Sequence, residues 1–123
     1  MKKRILIINT GGTLSSVTSE HGLSPGLSSG EILEELRMVS RNLTLETEDF
    51  CSLDSANIFP EDWAALAAKI GQIYGNYDGI VIIHGTDTLA YTASMLSFML
   101  QNVPLPVVLT GSQLSHIAAG RQD

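Results

Sequence analysis

At 123 residues the chain is long enough for one compact domain, and a hydrophobic share of 44% provides for a core. Charged residues amount to 16%, too few for a chain held open by its own polarity, so intrinsic disorder is excluded. The net charge of −6 without a basic stripe opposes approach to a phosphate backbone, so nucleic acid is not an expected partner.

Three basic residues, Lys2, Lys3 and Arg4, precede a short apolar run from Ile5 to Ile8. That run is too short for the apolar core of a secretion signal, and no later stretch is long enough for a bilayer, so no membrane partner is expected. An unbroken Ile-Leu-Ile-Ile run predicts a strand over residues 4–9, covered on both faces as in a parallel sheet. A Gly/Ser-rich loop is expected over residues 10–30. Ser28 and Glu31 then have capping-box spacing, and Ile32, Leu33, Leu36 and Val39 recur at a helical period.

Leu43, Leu45 and Thr47 alternate with Thr44, Glu46 and Glu48, which predicts a half-exposed or edge strand. Cys51 is the lone cysteine, so an internal disulfide is excluded. It reads as a small core residue at a strand end, and a reducing cytoplasm is the expected compartment. A loop over residues 52–59 leads to Pro60, suited to the first position of a helix, with Glu61 and Asp62 in the first turn. That helix is expected to reach about residue 74 and to stop near Gly75. The Ile/Val-rich residues 79–84 predict a third strand. Residues 88–100 predict a helix with Leu89, Ala93, Leu96 and Met99/Leu100 on one face, and residues 106–110 a fourth strand.

Strands and helices therefore alternate, which predicts an α/β fold. The expected architecture is a three-layer sandwich with a mainly parallel open sheet, Rossmann- or flavodoxin-like. Residues 114–123 contain no convincing helix to cover the fourth strand, so the chain reads as an incomplete domain of a longer polypeptide.

In such sheets ligands bind outside the carboxyl ends of the strands. Four loops belong to that edge: Thr10-Gly11-Gly12-Thr13, Asp54-Ser55-Ala56-Asn57, His84-Gly85-Thr86-Asp87-Thr88 and Thr110-Gly111-Ser112-Gln113. Taken singly, each has a plain structural reading. The Thr-Gly-Gly-Thr turn is a tight connection, Asp87 and Thr88 cap the next helix, Ser55 is a turn hydroxyl and His84 is a hydrogen-bonded structural histidine. Taken together, the loops offer a hydroxyl nucleophile (Thr13), backbone donors (Gly12, Gly85) and an orienting carboxylate (Asp87). No lysine or histidine base is evident from spacing. The residues themselves specify a small-molecule site of hydroxyls, glycines and one carboxylate, with no basic side chains for a phosphate.

Asn9-Thr10-Gly11-Gly12-Thr13-Leu14 resembles the first signature of the bacterial-type asparaginases. The stretch Gly79-Ile80-Val81-Ile82-Ile83-His84-Gly85-Thr86-Asp87-Thr88-Leu89 resembles their second. Asp54 to Asn57 and Pro106 to Gln113 follow the family's order and spacing, so the resemblance covers essentially the whole chain. It implies an asparagine amidohydrolase of the cytoplasmic type, with residues 1–123 forming an amino-terminal domain whose carboxy-terminal partner lies further on. It implies Thr13 as the nucleophile that forms an acyl-enzyme and Thr86 as the second catalytic threonine. It also implies Asp87 as the acceptor of the substrate's α-ammonium. Asp54, Ser55 and Ala56 would hold the α-carboxylate, and backbone N–H groups with Thr86 the oxyanion. No metal or organic cofactor is implied. L-Asparagine is the implied substrate, with L-glutamine second, and the full-length protein is expected to be a homodimer or homotetramer.

Two departures stand out. Leu23 occupies the place where the family often carries a lid tyrosine, and the lysine that pairs with the family's counterpart of Asp87 is expected beyond residue 123. Lys69, on a helix before the third strand, does not fit that role. Two other readings remain: the amidase component of a tRNA-dependent amidotransferase, which shares these signatures, and a non-catalytic amino-acid-binding domain.

Overall fold

Leu6, Ile7 and Ile8 are all buried although neighbouring strand residues face opposite ways. Only a strand covered on both faces satisfies that, and β1 (Lys3–Asn9) is an inner strand of a parallel sheet. The computed structural model describes residues 2–10, 16–19, 22–25, 33–34, 36–37, 41–50 and 58–111. After β1 come β2 (Ser16–Ser19), β3 (Gly22–Pro25) and β4 (Leu43–Asp49). They are followed by α1 (Pro60–Ile73), a 3-10 turn (Tyr74–Asn76), β5 (Gly79–Ile83), α2 (Leu89–Met99) and β6 (Val107–Thr110). No helix among the described residues is long and apolar enough to cross a membrane.

The main sheet has the order β4-β1-β5-β6, with every pairing parallel. The edge position expected for residues 43–48 is the one β4 occupies. Its register aligns Asp49 with Asn9, Asn9 with Ile83 and Ile83 with Thr110. The last residues of four strands therefore form one row, from which four loops depart.

One sheet face carries Leu6, Ile8, Ile80 and Ile82, packed against Leu66 and Ile70 of α1 and Leu96 of α2. The opposite face carries Ile7 and Ile83, packed with Leu36, Leu45 and Val81. Leu33, Glu34, Leu36 and Arg37 are helical, so helical residues flank both faces as the alternating pattern predicted. Each fully buried Ile or Leu stabilises the fold by roughly 1.5–3 kcal/mol through apolar burial.

α1 starts where its sequence predicts, at Pro60. The preceding Phe59 has no side-chain acceptor, so only half of a capping box forms. Its backbone N–H donates to Asp62 Oδ2 at 2.9 Å. At the amino ends of the strands, the Arg4 N–H donates to Asp78 Oδ2 (2.8 Å) and the Asp78 N–H to the Arg4 carbonyl (2.7 Å). The Arg4 guanidinium pairs with Glu46 and lies 5.1 Å from the Tyr77 ring centroid. The Tyr77 hydroxyl donates to Glu46 at 3.3 Å. Glu46 thus ties the edge strand β4 to β1 and to Tyr77.

One expectation needs correction. Residues 10–30 are not purely loop, because β2 and β3 pair antiparallel, Ser16 with Pro25 and Ser19 with Gly22. These strands are four residues each and mostly polar, so no apolar alternation announces them. Leu23, the position of the expected tyrosine, pairs with Thr18 in this hairpin. The boundaries of β1, β4, β5, β6, α1 and α2 fall within a residue or two of expectation, while those of the helix expected around residues 32–39 lie outside the described residues.

Candidate functional site

From β1 the chain crosses to β4 on one side, then returns to β5 on the other. The strand order therefore reverses at the carboxyl ends of β1 and β5, which is where open α/β sheets form their ligand crevice. The loops that begin at Thr10 and at His84 leave from those two strand ends.

They leave tied together. The Thr10 backbone N–H donates to the Ile83 carbonyl at 3.0 Å, and the Thr10 hydroxyl donates to the same oxygen at 2.6 Å. Thr10 is fully buried, so these bonds compete with no solvent. On one flank, the Phe50 N–H donates to the Asn9 carbonyl at 3.0 Å, fastening the chain that leaves β4 to that leaving β1. On the other flank, the His84 N–H donates to the Thr110 carbonyl at 2.9 Å. Gly111 lies so close to this strand end that a Cβ there would sit 2.3 Å from the His84 carbonyl oxygen and 3.3 Å from Thr86 Cγ2. Only glycine allows that approach.

His84 has the structural environment its plain reading suggested. Its ring is fully buried, with Nδ1 2.6 Å from the Gly85 carbonyl oxygen and Nε2 3.0 Å from Thr92 Oγ1. Trp63 Nε1–H donates to the same Thr92 hydroxyl at 2.7 Å. Thr92 and Trp63 carried no sequence signal beyond being polar-tipped residues on two otherwise apolar helix faces. Their meeting is a product of the packing of α1 on α2.

After His84 the loop turns outward. Gly85 is buried, Thr86 half-buried and Asp87 exposed at the amino-terminal end of α2, where the helix dipole favours a carboxylate. Thr88 takes the N-cap position, but its hydroxyl makes no capping bond, so the simple capping reading of Thr88 does not hold. That hydroxyl is buried and has no hydrogen-bond partner among the described residues.

Of the residues singled out in the sequence, Gly85, Thr86 and Asp87 therefore stand beside the start of the first loop at the switch point. Gly12, Thr13, Asp54, Ser55 and Ala56 lie outside the described residues. Lys69 is engaged elsewhere: its Nζ lies 2.5 Å from Glu48 Oε1, joining α1 to the edge strand. An open hollow of about 290 Å³ between α2 and β6 is lined by Leu89, Ala93, Leu96, Leu100 and neighbouring apolar residues. It has almost nothing with which to hold a zwitterion, so the polar edge is the better candidate.

The chain is similar to known proteins over most of its length. The family model described as "Asparaginase, N-terminal" matches residues 4–123. The chain is 49% identical over 113 residues to the L-asparaginase of Thermococcus kodakarensis, covering 90% of this chain and 34% of that protein. It superposes on the crystal structure of L-asparaginase I from Vibrio cholerae with a TM-score of 0.84 at 36% identity, covering 100% of this chain and 36% of the other. It is also 43% identical over 117 residues to a glutamyl-tRNA(Gln) amidotransferase component of Saccharolobus islandicus, covering 93% of this chain and 26% of that protein. The chain spans about a third of the length of the two asparaginases it matches here.

Proposed function

The chain belongs to the asparaginase amino-terminal family, and on that premise we propose that it forms the nucleophile- and substrate-binding part of an L-asparagine amidohydrolase. The observation that carries the reading is the juncture of the two signature loops. Thr10, which opens the first, is bonded through both N–H and hydroxyl to Ile83, the last strand residue before the second.

In this reading the Thr13 hydroxyl attacks the side-chain amide carbon of asparagine. Ammonia leaves with the proton it needs, and water hydrolyses the resulting ester to aspartate while restoring Thr13. Asp87 accepts the α-ammonium; its exposed position at the sheet edge suits a charged, water-borne partner. Asp54, Ser55 and Ala56 hold the α-carboxylate through a hydroxyl and backbone donors. Thr86 assists proton movement and, with backbone N–H groups at Gly12 and Gly85, faces the developing oxyanion. A zwitterionic substrate needs one fixed carboxylate and several neutral donors, the set these loops offer. The chemistry needs no metal or organic cofactor. The rest of the site, including the lysine partner of Asp87, is assigned to polypeptide beyond this chain, in a homodimeric or homotetrameric cytoplasmic enzyme.

The experiment is ammonia release by the full-length protein from free asparagine and free glutamine. Release from asparagine, lost by orders of magnitude in Thr13→Ala and in Thr86→Val with unchanged circular dichroism, supports the assignment. Absence of release from asparagine by the wild type overturns it, and a near-normal rate in either variant removes that residue from its role. The likeness to the amidotransferase component supports a second reading, amide hydrolysis coupled to a tRNA-dependent partner. Ammonia release only in the presence of misacylated tRNA and a partner protein would favour it.

A further inference from the structure

The buried contacts behind the second loop form one directed chain of hydrogen bonds. A carbonyl oxygen only accepts, so the proton on the Gly85 side of the His84 ring must be on Nδ1. In the neutral imidazole Nε2 is then an acceptor, and the Thr92 hydroxyl donates to it. An indole N–H only donates, so Thr92 accepts from Trp63. The direction runs from Trp63 in the first turn of α1, through Thr92 of α2 and His84, to the Gly85 carbonyl. His84 and Thr92 are both fully buried, so water does not compete along the chain.

What the chain ends on is more telling than its burial. The Gly85 carbonyl belongs to neither strand nor helix; it opens the loop that carries Thr86 and Asp87. Gly85 has no side chain, so only its peptide groups can be held. The carbonyl of Gly85 and the N–H of Thr86 share one planar trans peptide and point in opposite directions. Drawing that carbonyl onto the His84 ring therefore turns the Thr86 N–H away from that ring and fixes the point from which the Thr86 side chain departs.

We propose that His84, oriented by Thr92 and Trp63, is a positioning residue that sets the Gly85–Thr86 peptide plane and thereby aims Thr86 at the substrate amide. This rests on the reading above, in which Thr86 touches substrate. His84 itself does not contact substrate and transfers no proton.

The test uses the full-length enzyme, with Thr92→Val to remove the hydroxyl at nearly constant volume and Thr92→Ser to retain it. kcat and KM for asparagine are measured separately, beside thermal denaturation. Histidine 1H–15N correlation spectra report which ring nitrogen carries the proton, with His84 assigned by its absence in His84→Gln. The expected results are a proton on Nδ1 of His84 in the wild type and a fall in kcat of about 10- to 100-fold in Thr92→Val. Thr92→Ser is expected to keep kcat within about threefold of the wild type, since it restores the bond on which the positioning depends. A Thr92→Val enzyme with lowered thermal stability but wild-type kcat overturns the proposal, because the chain would then serve folding alone. A proton on Nε2 overturns the bond direction whatever the activity. A wild type silent on asparagine overturns the functional reading, and the catalytic role with it, while the tautomer spectrum still decides the bonds.

Discussion

Thr10 gives two hydrogen bonds to one acceptor: its N–H and its hydroxyl both reach the carbonyl oxygen of Ile83, at 3.0 and 2.6 Å. The N–H bond continues the ladder between β1 and β5 past their last paired residues. The hydroxyl bond is a side-chain addition, and it locks the departure point of the first loop to that of the second. Replacing Thr10 by Val keeps the shape and the N–H bond but puts a methyl against a carbonyl in a fully buried position. A loss of about 1–2 kcal/mol is expected, read from urea denaturation. An unchanged unfolding midpoint would show that the hydroxyl bond contributes nothing.

Gly111 and Gly71 should respond oppositely to alanine. At Gly111 the new methyl would meet a backbone oxygen at 2.3 Å, so the chain after β6 must move away from His84 and Thr86. Overpacking of that kind costs about 1–3 kcal/mol and should also lower ammonia release, because the displaced segment packs against Thr86. At Gly71, within α1, nothing lies within 4 Å of the added methyl. Gly71→Ala should therefore stabilise the fold by about 0.5–1 kcal/mol through helix propensity and leave the rate alone. Parallel denaturation of the two variants checks both signs.

Tyr77 makes the alkaline limb of stability testable. Burial raises the pKa of its phenol, Glu46 adds to the rise through its charge and the hydrogen bond, and the Arg4 guanidinium partly opposes it. A folded pKa above the unfolded value of about 10 means that the folded state holds the proton more tightly. The associated stability is fully present below about pH 10 and is lost as pH rises through the higher folded value. Tyr77→Phe should remove that component, so its unfolding free energy should fall less steeply than the wild type's above pH 10. Equal slopes for the two proteins would refute the assignment.

Lys69→Met tests the separation of the structural lysine from the site. The Lys69–Glu48 pair is partly exposed, with side-chain exposures of 31% and 37%, so its loss should cost less than about 1 kcal/mol. Ammonia release should stay at the wild-type rate. A marked fall in kcat would place Lys69 in the reaction after all.

The fold class was legible because the strands of a parallel sheet announce themselves. Ile5 to Ile8 and Ile80 to Ile83 are unbroken apolar runs, and β4 alternates as a strand with one polar edge should. The β2–β3 hairpin was not legible, since its sequences, Ser16–Ser19 and Gly22–Pro25, carry no apolar alternation with a period of two. Of the candidate site, Gly85, Thr86 and Asp87 were readable from their position after a strand. Trp63 and Thr92 were not, because they sit 29 residues apart on two different helices and only helix packing brings them together.

Local sequence therefore determined which segments become strands and helices, and which loops hold hydroxyls, glycines and a carboxylate, since periodicity and side-chain chemistry are properties of neighbours along the chain. Tertiary structure alone decided which loops meet. The order β4-β1-β5-β6 puts the reversal point between β1 and β5, and the shared register aligns Asn9 with Ile83. Thr10 can then reach across 73 residues to a single carbonyl, and His84 can be oriented from behind by α1 and α2. Such long-range bonds depend on the crossing direction of each connection and the packing of each helix, and no local window of sequence contains either.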